Sequence, residues 1–304
     1  MKILGVIPAR YASTRFPGKP LVAINGKSMI QRVFEQAKKC KSLARVVVAT
    51  DDERIFEHVT AFGGEAMMTA STHQSGTDRC AEVVEKLNFD SQTQGLDSDE
   101  SVIFDKITPK REGIFTAVIN IQGDEPFIQP EQIEKVVEIL RGTSIKNEKL
   151  KIKNLDDTAV QTSDFRLQTL NFDIATLIKR IDNQADIDNP NVVKAVFGEG
   201  GRAVYFSRSP IPFLRNADKK DWPKSGQFFK HIGLYGYKTS VLLDLARLSP
   251  SNLEQLESLE QLRWLENGYT IGIAETDLET IGIDTPEDLK KILESKFQIP
   301  NANL

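Results

Sequence analysis

Apolar residues in the first half of this chain switch repeatedly between two periodicities. "ILGVIPA" (3–9) is a nearly unbroken apolar run of strand length, and "KSMIQRVFEQAKKC" (27–40) then sets Met29, Ile30, Val33, Phe34 and Ala37 on one helical stripe. "RVVVAT" (45–50) predicts a second buried strand, "DDERIFEHVTAF" (51–62) a second helix stopped by Gly63 and Gly64, and "EAMMT" (65–69) a short strand. "DRCAEVVEKL" (78–87) is helical again, and "TAVINIQ" (116–122) reads as a strand of the buried type. Such alternation predicts an α/β fold, a mostly parallel sheet with helices on both faces.

The second half is less regular. "NVVKAVF" (191–197) and "RAVYFSR" (202–208) are β-like and joined by "GEGG", which predicts a hairpin. "HIGLYGYK" (231–238) predicts a further strand, and "NLEQLESLEQLRWLENG" one helix over 252–268 ended by Gly268. In "TIGIDTPEDLKKILESKF" (280–297) a short apolar strand precedes Asp284, Thr285 is a good N-cap, Pro286 takes the first helical position and Asp288 completes a capping box. Two polar, weakly periodic stretches, 88–113 and 142–168, predict surface insertions in one domain spanning 1–304.

Charge narrows the function classes. The 304 residues carry a formal net charge of −4, so nothing draws the whole molecule to nucleic acid or an anionic membrane, and an anion site must be local. The two cysteines, Cys40 and Cys80, form no CxxC pair, which points to a reducing compartment. "MKILGVIPAR" is too short for a signal peptide, and no apolar stretch approaches the ~20 residues of a membrane span. The expectation is a soluble, cytoplasmic protein with no nucleic-acid or membrane partner.

A local anion site is visible in "PARYASTRFPGKP" (8–20), where Arg10, Arg15 and Lys19 share a loop with the small residues Ala9, Ala12, Ser13 and Gly18. A solvated basic loop is one reading. The other is a cradle for a phosphate chain, because the loop follows the first strand and ligands of open α/β sheets bind beyond the carboxyl ends of strands. It is no P-loop, since Pro20 follows Gly18-Lys19. Asp124 in "NIQGDEPF" and Asp284 in "IGIDTPED" each follow a short apolar run. They are either solvated turn residues or two carboxylates converging on one hard cation, for which magnesium fits. Zinc does not, with three histidines, no HExxH and no CxxC.

Taken in order and spacing, "PARYASTRFPGKPL", "HQSGTDR", "NIQGDEP", "NPNVVK", "YFSRSPIP", "HIGLYGY", "LEQLR" and "GIDTPEDL" resemble the 3-deoxy-manno-octulosonate cytidylyltransferase family, within the wider sugar-nucleotidyltransferases. The resemblance runs from residue 3 to about 293. It departs in the two longer polar insertions, and in Asn252 and Gln255, where the family commonly shows Pro and His.

The resemblance implies a Rossmann-like nucleotide-diphospho-sugar transferase fold with a smaller β-rich sugar-binding and dimerisation subdomain. It divides the chain into a nucleotide part (1–135), a sugar and dimer part (170–265) and a return to the main sheet (270–304). The implied reaction moves CMP from CTP to the anomeric hydroxyl of 3-deoxy-D-manno-octulosonate (KDO), releases pyrophosphate and feeds lipopolysaccharide synthesis. Mg2+ is the implied cofactor, with Asp124 and Asp284 as its ligands, and the implied assembly is a homodimer. Arg10 and Lys19, assisted by Arg15 beside Ala9, would meet the triphosphate. Ser75, Gly76 and Arg79 would meet the cytidine, with a helix N-cap at Thr77 as a compatible structural role. Gln122, Arg208, His231, Tyr235, Glu260 and Gln261 match the KDO side, where an arginine fork suits the sugar's carboxylate. A sialic-acid cytidylyltransferase and a catalytically inactive nucleotide binder are the alternatives. "YFSRSPIPF", "HIGLYGY" and "LEQLR" stand against the first and the intact pair Asp124 and Asp284 against the second.

Overall fold

The apolar run near the N-terminus is the middle of the sheet. Ile3, Leu4, Val6 and Ile7 are fully buried in β1 (Ile3–Ala9), as a strand covered by helices on both faces requires. The computed structural model describes residues 1–13, 15–93, 114–142, 171–279 and 282–294. After β1, the small hairpin β2 (Ala23–Ile24) and β3 (Lys27–Ser28) leads into α1 (Met29–Lys39), where the Ser28 Oγ accepts from the Gln31 amide at 3.2 Å. Next come β4 (Leu43–Thr50), α2 (Glu53–Ala61), β5 (Ala66–Met68), α3 (Gly76–Thr93), β6 (Ala117–Asn120) and α4 (Pro130–Leu140). Then follow β7 (Ile174–Arg180), α5 (Gln184–Asp188), β8 (Lys194–Phe197), β9 (Ala203–Ser207), β10 (Phe229–Lys238), α6 (Thr239–Leu245), α7 (Asn252–Glu257), α8 (Glu260–Glu266), β11 (Ile271–Glu275) and α9 (Pro286–Glu294).

The sheet order is β11-β7-β10-β6-β1-β4-β5. β1 runs parallel to β4 and β6, β4 to β5, and β7 to β11, while β10 is antiparallel to both β6 and β7. The sheet is thus mixed and mostly parallel, as predicted. Ile30 and Val33 of α1, Ile55 of α2 and Val136 of α4 fill one face. Val83 and Val84 of α3, Leu242 of α6 and Leu262 and Trp264 of α8 fill the other. The predicted hairpin is β8–β9, antiparallel, attached to the start of β10 at Lys194 and Lys230.

Four local expectations change. The helix predicted over 252–268 is two, α7 and α8, separated where Ser258 takes a left-handed conformation with φ 51°. α3 is capped by Ser75, not Thr77: the Ser75 Oγ accepts from the Asp78 amide at 3.1 Å while Asp78 Oδ2 accepts from the Ser75 amide at 3.0 Å. α3 also runs on to Thr93, into the stretch read as the first insertion; residues 94–113 and 143–168 lie outside the described residues. Before Asp284, Gly282 and Ile283 are not in a strand. The Thr285 cap holds, with its hydroxyl accepting from the Asp288 amide at 3.2 Å.

Candidate active site

Three polar loops meet beyond the carboxyl ends of β1 and β6, and apolar side chains bring them together. Phe16 from the loop after β1, Phe127 from the loop after β6 and Ile283 ahead of α9 pack in one small cluster with Ile24, Met29 and Ile292. The Ile283 amide donates to the Asp124 carbonyl at 3.0 Å, which sets Asp284 beside Asp124. Gly123 lets the loop after β6 pass close to β1: a Cβ there would stand 2.8 Å from the Pro8 carbonyl oxygen.

The basic loop is closed on itself. The Tyr11 carbonyl accepts from the amides of Ser13 (3.0 Å) and Gly18 (2.9 Å), and Gly18 sits at φ 70°, where glycine carries no Cβ penalty. The three cations have different surroundings. Arg10 is exposed, and among the described residues no carboxylate pairs with it. Arg15, 66% exposed, reaches Asp284 Oδ2 at 3.3 Å. Lys19, 13% exposed, spans both carboxylates, with Nζ 2.7 Å from Asp124 Oδ2 and 3.1 Å from Asp284 Oδ1. Burial and the charges of Asp124 and Asp284 push the neighbouring Glu125 carboxyl up to about 8.

Two carboxylates already gathered around one cationic centre, with oxygen as their donor atom, suit a hard divalent ion. Among the described residues no cluster of three or more His, Cys, Asp or Glu side chains forms a complete protein cage. Water and phosphate oxygens would have to complete such a shell.

The "HQSGTDR" segment opens α3 beside this centre, since Gly76 lies against Pro8 and Asn120 at the ends of β1 and β6. Arg79 is fully buried: one Nη donates to the Thr69 hydroxyl, the other lies 3.4 Å from Asp51 Oδ1, and burial lowers its pKa. Arg79 therefore braces the loops after β4 and β5 from beneath.

The residues matched to the sugar side gather around β10, where the pairing register with β7 shifts between Ile232 and Tyr235. Bulges of this kind re-aim side chains. Gln122 Nε2 donates to the Gly233 carbonyl at 3.1 Å, tying the loop after β6 to the bulge. The Thr176 hydroxyl has the carbonyls of Ile232 (3.0 Å) and Leu234 (2.9 Å) as acceptors and lies 2.9 Å from His231 Nε2. A hydroxyl has one proton to give, so Nε2 carries the imidazole proton and Nδ1 is left as an acceptor. Burial lowers the His231 pKa to about 3, so the ring is neutral. The Tyr235 ring lies tilted at 5.2 Å from His231 and edge-on at 5.0 Å from Trp264.

Arg208, at the end of β9, is held by main chain. Its Nε donates to the Glu257 carbonyl (2.7 Å), Nη1 to Pro190 (3.0 Å) and Nη2 to Ser258 (3.2 Å). One N–H remains on each Nη, the pair a carboxylate can bridge. Glu260 on α8 accepts from the Thr77 hydroxyl at 2.9 Å and from Arg263 Nη2 at 2.8 Å, and burial raises its pKa. Gln261, next to it, is buried.

Sequence reasoning named the charged residues and missed their supports. Phe16 and Phe127 are apolar residues in polar loops, which carry no periodic signal, and Ile283 lies in the run read as a strand. Thr176 lies in β7, a strand the pattern did not predict. Arg263 was the most accessible omission, since it stands one turn from Glu260 in "LEQLR".

Comparison with known proteins follows the same residues. The cytidylyltransferase family model matches residues 4–276. The 3-deoxy-manno-octulosonate cytidylyltransferase of Cytophaga hutchinsonii is 45% identical over 293 residues, covering 96% of each chain. That of Bacteroides thetaiotaomicron is 46% identical, covering 95% of this chain and 96% of its own. The solved structure of CMP:2-keto-3-deoxy-manno-octonic acid synthetase complexed with CTP superposes with a TM-score of 0.74 at 36% identity, covering 96% of this chain and 97% of that one. A 4-diphosphocytidyl-2C-methyl-D-erythritol synthase from Anaerococcus prevotii shares the fold at a TM-score of 0.51 and 10% identity, covering 95% and 94%.

Proposed function

The chain belongs to the 3-deoxy-manno-octulosonate cytidylyltransferase family, and from that premise we propose that it makes CMP-KDO and pyrophosphate from CTP and KDO in the site described above. The sugar's anomeric oxygen attacks the α-phosphorus of CTP, the bond from that phosphorus to the bridging oxygen of the β-phosphate breaks, and pyrophosphate leaves with the electron pair. The hydroxyl proton passes to solvent. The observation that carries this reading is the convergence of Asp124 and Asp284 on Lys19 Nζ beneath the Arg10–Arg15 loop.

In this reading Arg10, Arg15 and Lys19 neutralise the triphosphate and the charge growing on the leaving group, and the main chain of Ala9 borders it. Asp124 and Asp284 hold magnesium, which when bound lowers the pKa of the attacking hydroxyl and offsets charge on the α-phosphate. Ser75 and Gly76 present the first turn of α3 to the cytidine, with Arg79 bracing that turn. The two remaining N–H groups of Arg208 take the sugar carboxylate. His231 Nδ1, Gln122, Tyr235, Glu260 and Gln261 serve its hydroxyls.

Residues 1–135 and 170–265 then divide the work between nucleotide and sugar, and the stretch from 270 supplies Asp284. The reading extends to a cytoplasmic homodimer. Val204, 62% exposed on β9, lines a shallow groove with Leu265 and Tyr269 that a second copy would cover. No helix among the described residues is long and apolar enough to cross a membrane. Pyrophosphate release from CTP with magnesium, measured against a panel of acid sugars, tests the assignment: KDO should be preferred over a sialic acid, and CTP over GTP. Equal rates with GTP would overturn it.

A further inference from the structure

A side-chain hydrogen bond from Thr77, with the Ser75 hydroxyl also acting on the same carboxylate, joins the first turn of α3 to the helix that carries Glu260. Thr77, 2% exposed, donates its hydroxyl to Glu260 Oε2 at 2.9 Å across 183 positions of sequence. The other oxygen of that carboxylate is held within α8, by Arg263 Nη2 at 2.8 Å. Arg263 is itself anchored: Nη1 donates to the Leu248 carbonyl at 2.9 Å, and Nε lies 3.3 Å from Glu254 Oε2 in the box that caps α7. One oxygen of Glu260 is therefore fixed by its own helix and the other by α3.

On the α3 side the attachment is equally firm. Thr77 stands between Gly76, which lies against Pro8 and Asn120, and Asp78, which is locked to Ser75 by the reciprocal cap. A hydroxyl buried in that turn cannot move apart from it. We propose that Thr77 is a positioning residue for sugar recognition: it holds the Glu260 carboxylate in register with the first turn of α3, so that nucleotide seated on that turn tightens the site for the acid sugar. The inference rests on the reading that Ser75 and Gly76 meet the nucleotide and Glu260 meets the sugar. Coupling of this kind is reciprocal, so the sugar tightens nucleotide binding by the same factor.

Calorimetric titration of KDO into the whole enzyme with magnesium, with and without α,β-methylene CTP, tests this without turnover. Wild type should bind KDO on the order of tenfold tighter when the analogue is present. Thr77→Val should erase that gain while the analogue alone binds as it does to wild type, and Thr77→Ser, which keeps the donor, should retain the gain. A purely structural role for Thr77 would instead weaken both ligands together. Should valine unfold α3, Thr77→Ala removes the same hydroxyl with less bulk, and a thermal melt reports which variants are folded. Wild type without coupling, or Thr77→Val with coupling intact, overturns the inference. Glu260→Gln separates it from the reading beneath: KDO binding unaffected by that change overturns the sugar role of Glu260, whereas weakened binding there with coupling intact in Thr77→Val overturns only the part assigned to Thr77.

Discussion

At the phosphate end of the site, Lys19 and Arg15 pair with two carboxylates; at the sugar end, Arg208 and His231 are tied to main-chain carbonyls and to a neutral hydroxyl, and of the described residues placed there Glu260 alone has an ion-pair partner, Arg263. Lys19 spans Asp124 and Asp284, and Arg15 reaches Asp284 from an exposed position. Arg208 instead rests on the carbonyls of Pro190, Glu257 and Ser258, and His231 rests on Thr176. Charges that satisfy each other must exchange partners when a triphosphate and a divalent ion arrive. Groups satisfied by backbone keep their positions and add a ligand to what they already hold. The phosphate end should therefore respond to metal and ionic strength, and the sugar end should behave as a preformed mould.

The heaviest blow to the phosphate end is the loss of one carboxylate charge. Asp124→Asn or Asp284→Asn should lower turnover by about a thousandfold, as several kcal/mol of charge stabilisation goes with a metal ligand. KDO binding measured by calorimetry should stay near the wild-type value. Wild-type turnover in either variant at saturating magnesium would show that the two aspartates do not share an ion.

At the sugar end the corresponding change is Arg208→Ala, which should raise the KM for KDO by about 30-fold, on the order of 2 kcal/mol for a shielded charge-assisted pair. Arg208→Lys should not restore it, because an ammonium cannot both hold those carbonyls and bridge a carboxylate. The KM for CTP should change little in either variant. Steady-state kinetics varying each substrate decide the matter; a collapse of CTP binding with KM for KDO intact would dissolve the division between the two ends.

The same contrast explains what could be read from the sequence. β1, β4, β6 and β10 are apolar on both faces and announced themselves, as did the striped helices α1 and α2. Arg10, Asp124 and Asp284 drew attention because each stands just beyond an apolar run, and Lys19 because it shares the first loop with Arg10. The break between α7 and α8 was not. Leu253, Leu256, Leu259 and Leu262 recur at i, i+3 spacing straight through it, and Ser258 is an ordinary helix residue. The chain turns there because Arg208, 50 positions away, takes the carbonyls of Glu257 and Ser258 that a continuous helix would have paired with its own amides. β7 forms between β10 and β11, and β11 pairs with β7, partners that no local window contains.

A gentler test of the phosphate end adds function instead of removing it. Lys19 Nζ stands where a shared divalent ion would have to stand, so metal in the nucleotide-free protein competes with this ammonium. Lys19→Met should bind Mn2+ alone roughly fivefold more tightly than wild type, the worth of about 1 kcal/mol of displaced ion pair. Its KM for CTP should rise, since the phosphates lose a cation. Electron paramagnetic resonance of free Mn2+ reports the first effect without any turnover. Unchanged Mn2+ affinity would mean that the aspartates and the lysine do not form one exchangeable set.

The smallest change is expected at His231, and it sharpens the contrast most directly. The imidazole lies against Phe206 and Tyr235, each at 5.2 Å between ring centres, and its Nε2–H is given to Thr176. Burial lowers its pKa from the ordinary 6.5 to about 3. The folded protein thus refuses a proton that the unfolded chain accepts below pH 6.5. Stability tied to the neutral ring is complete above pH 6.5 and is lost progressively as pH falls toward 3. Two outcomes follow. The KM for KDO should show no histidine step between about pH 6 and 8, and urea midpoints of wild type should fall faster on acidification than those of His231→Gln, which has no ring to protonate. A KM step near pH 6.5, the ordinary histidine value, would mean that the imidazole is solvated and gains charge in the working range. The sugar end would then be governed by exchangeable charge as the phosphate end is, and the difference between them would reduce to which ligand arrives.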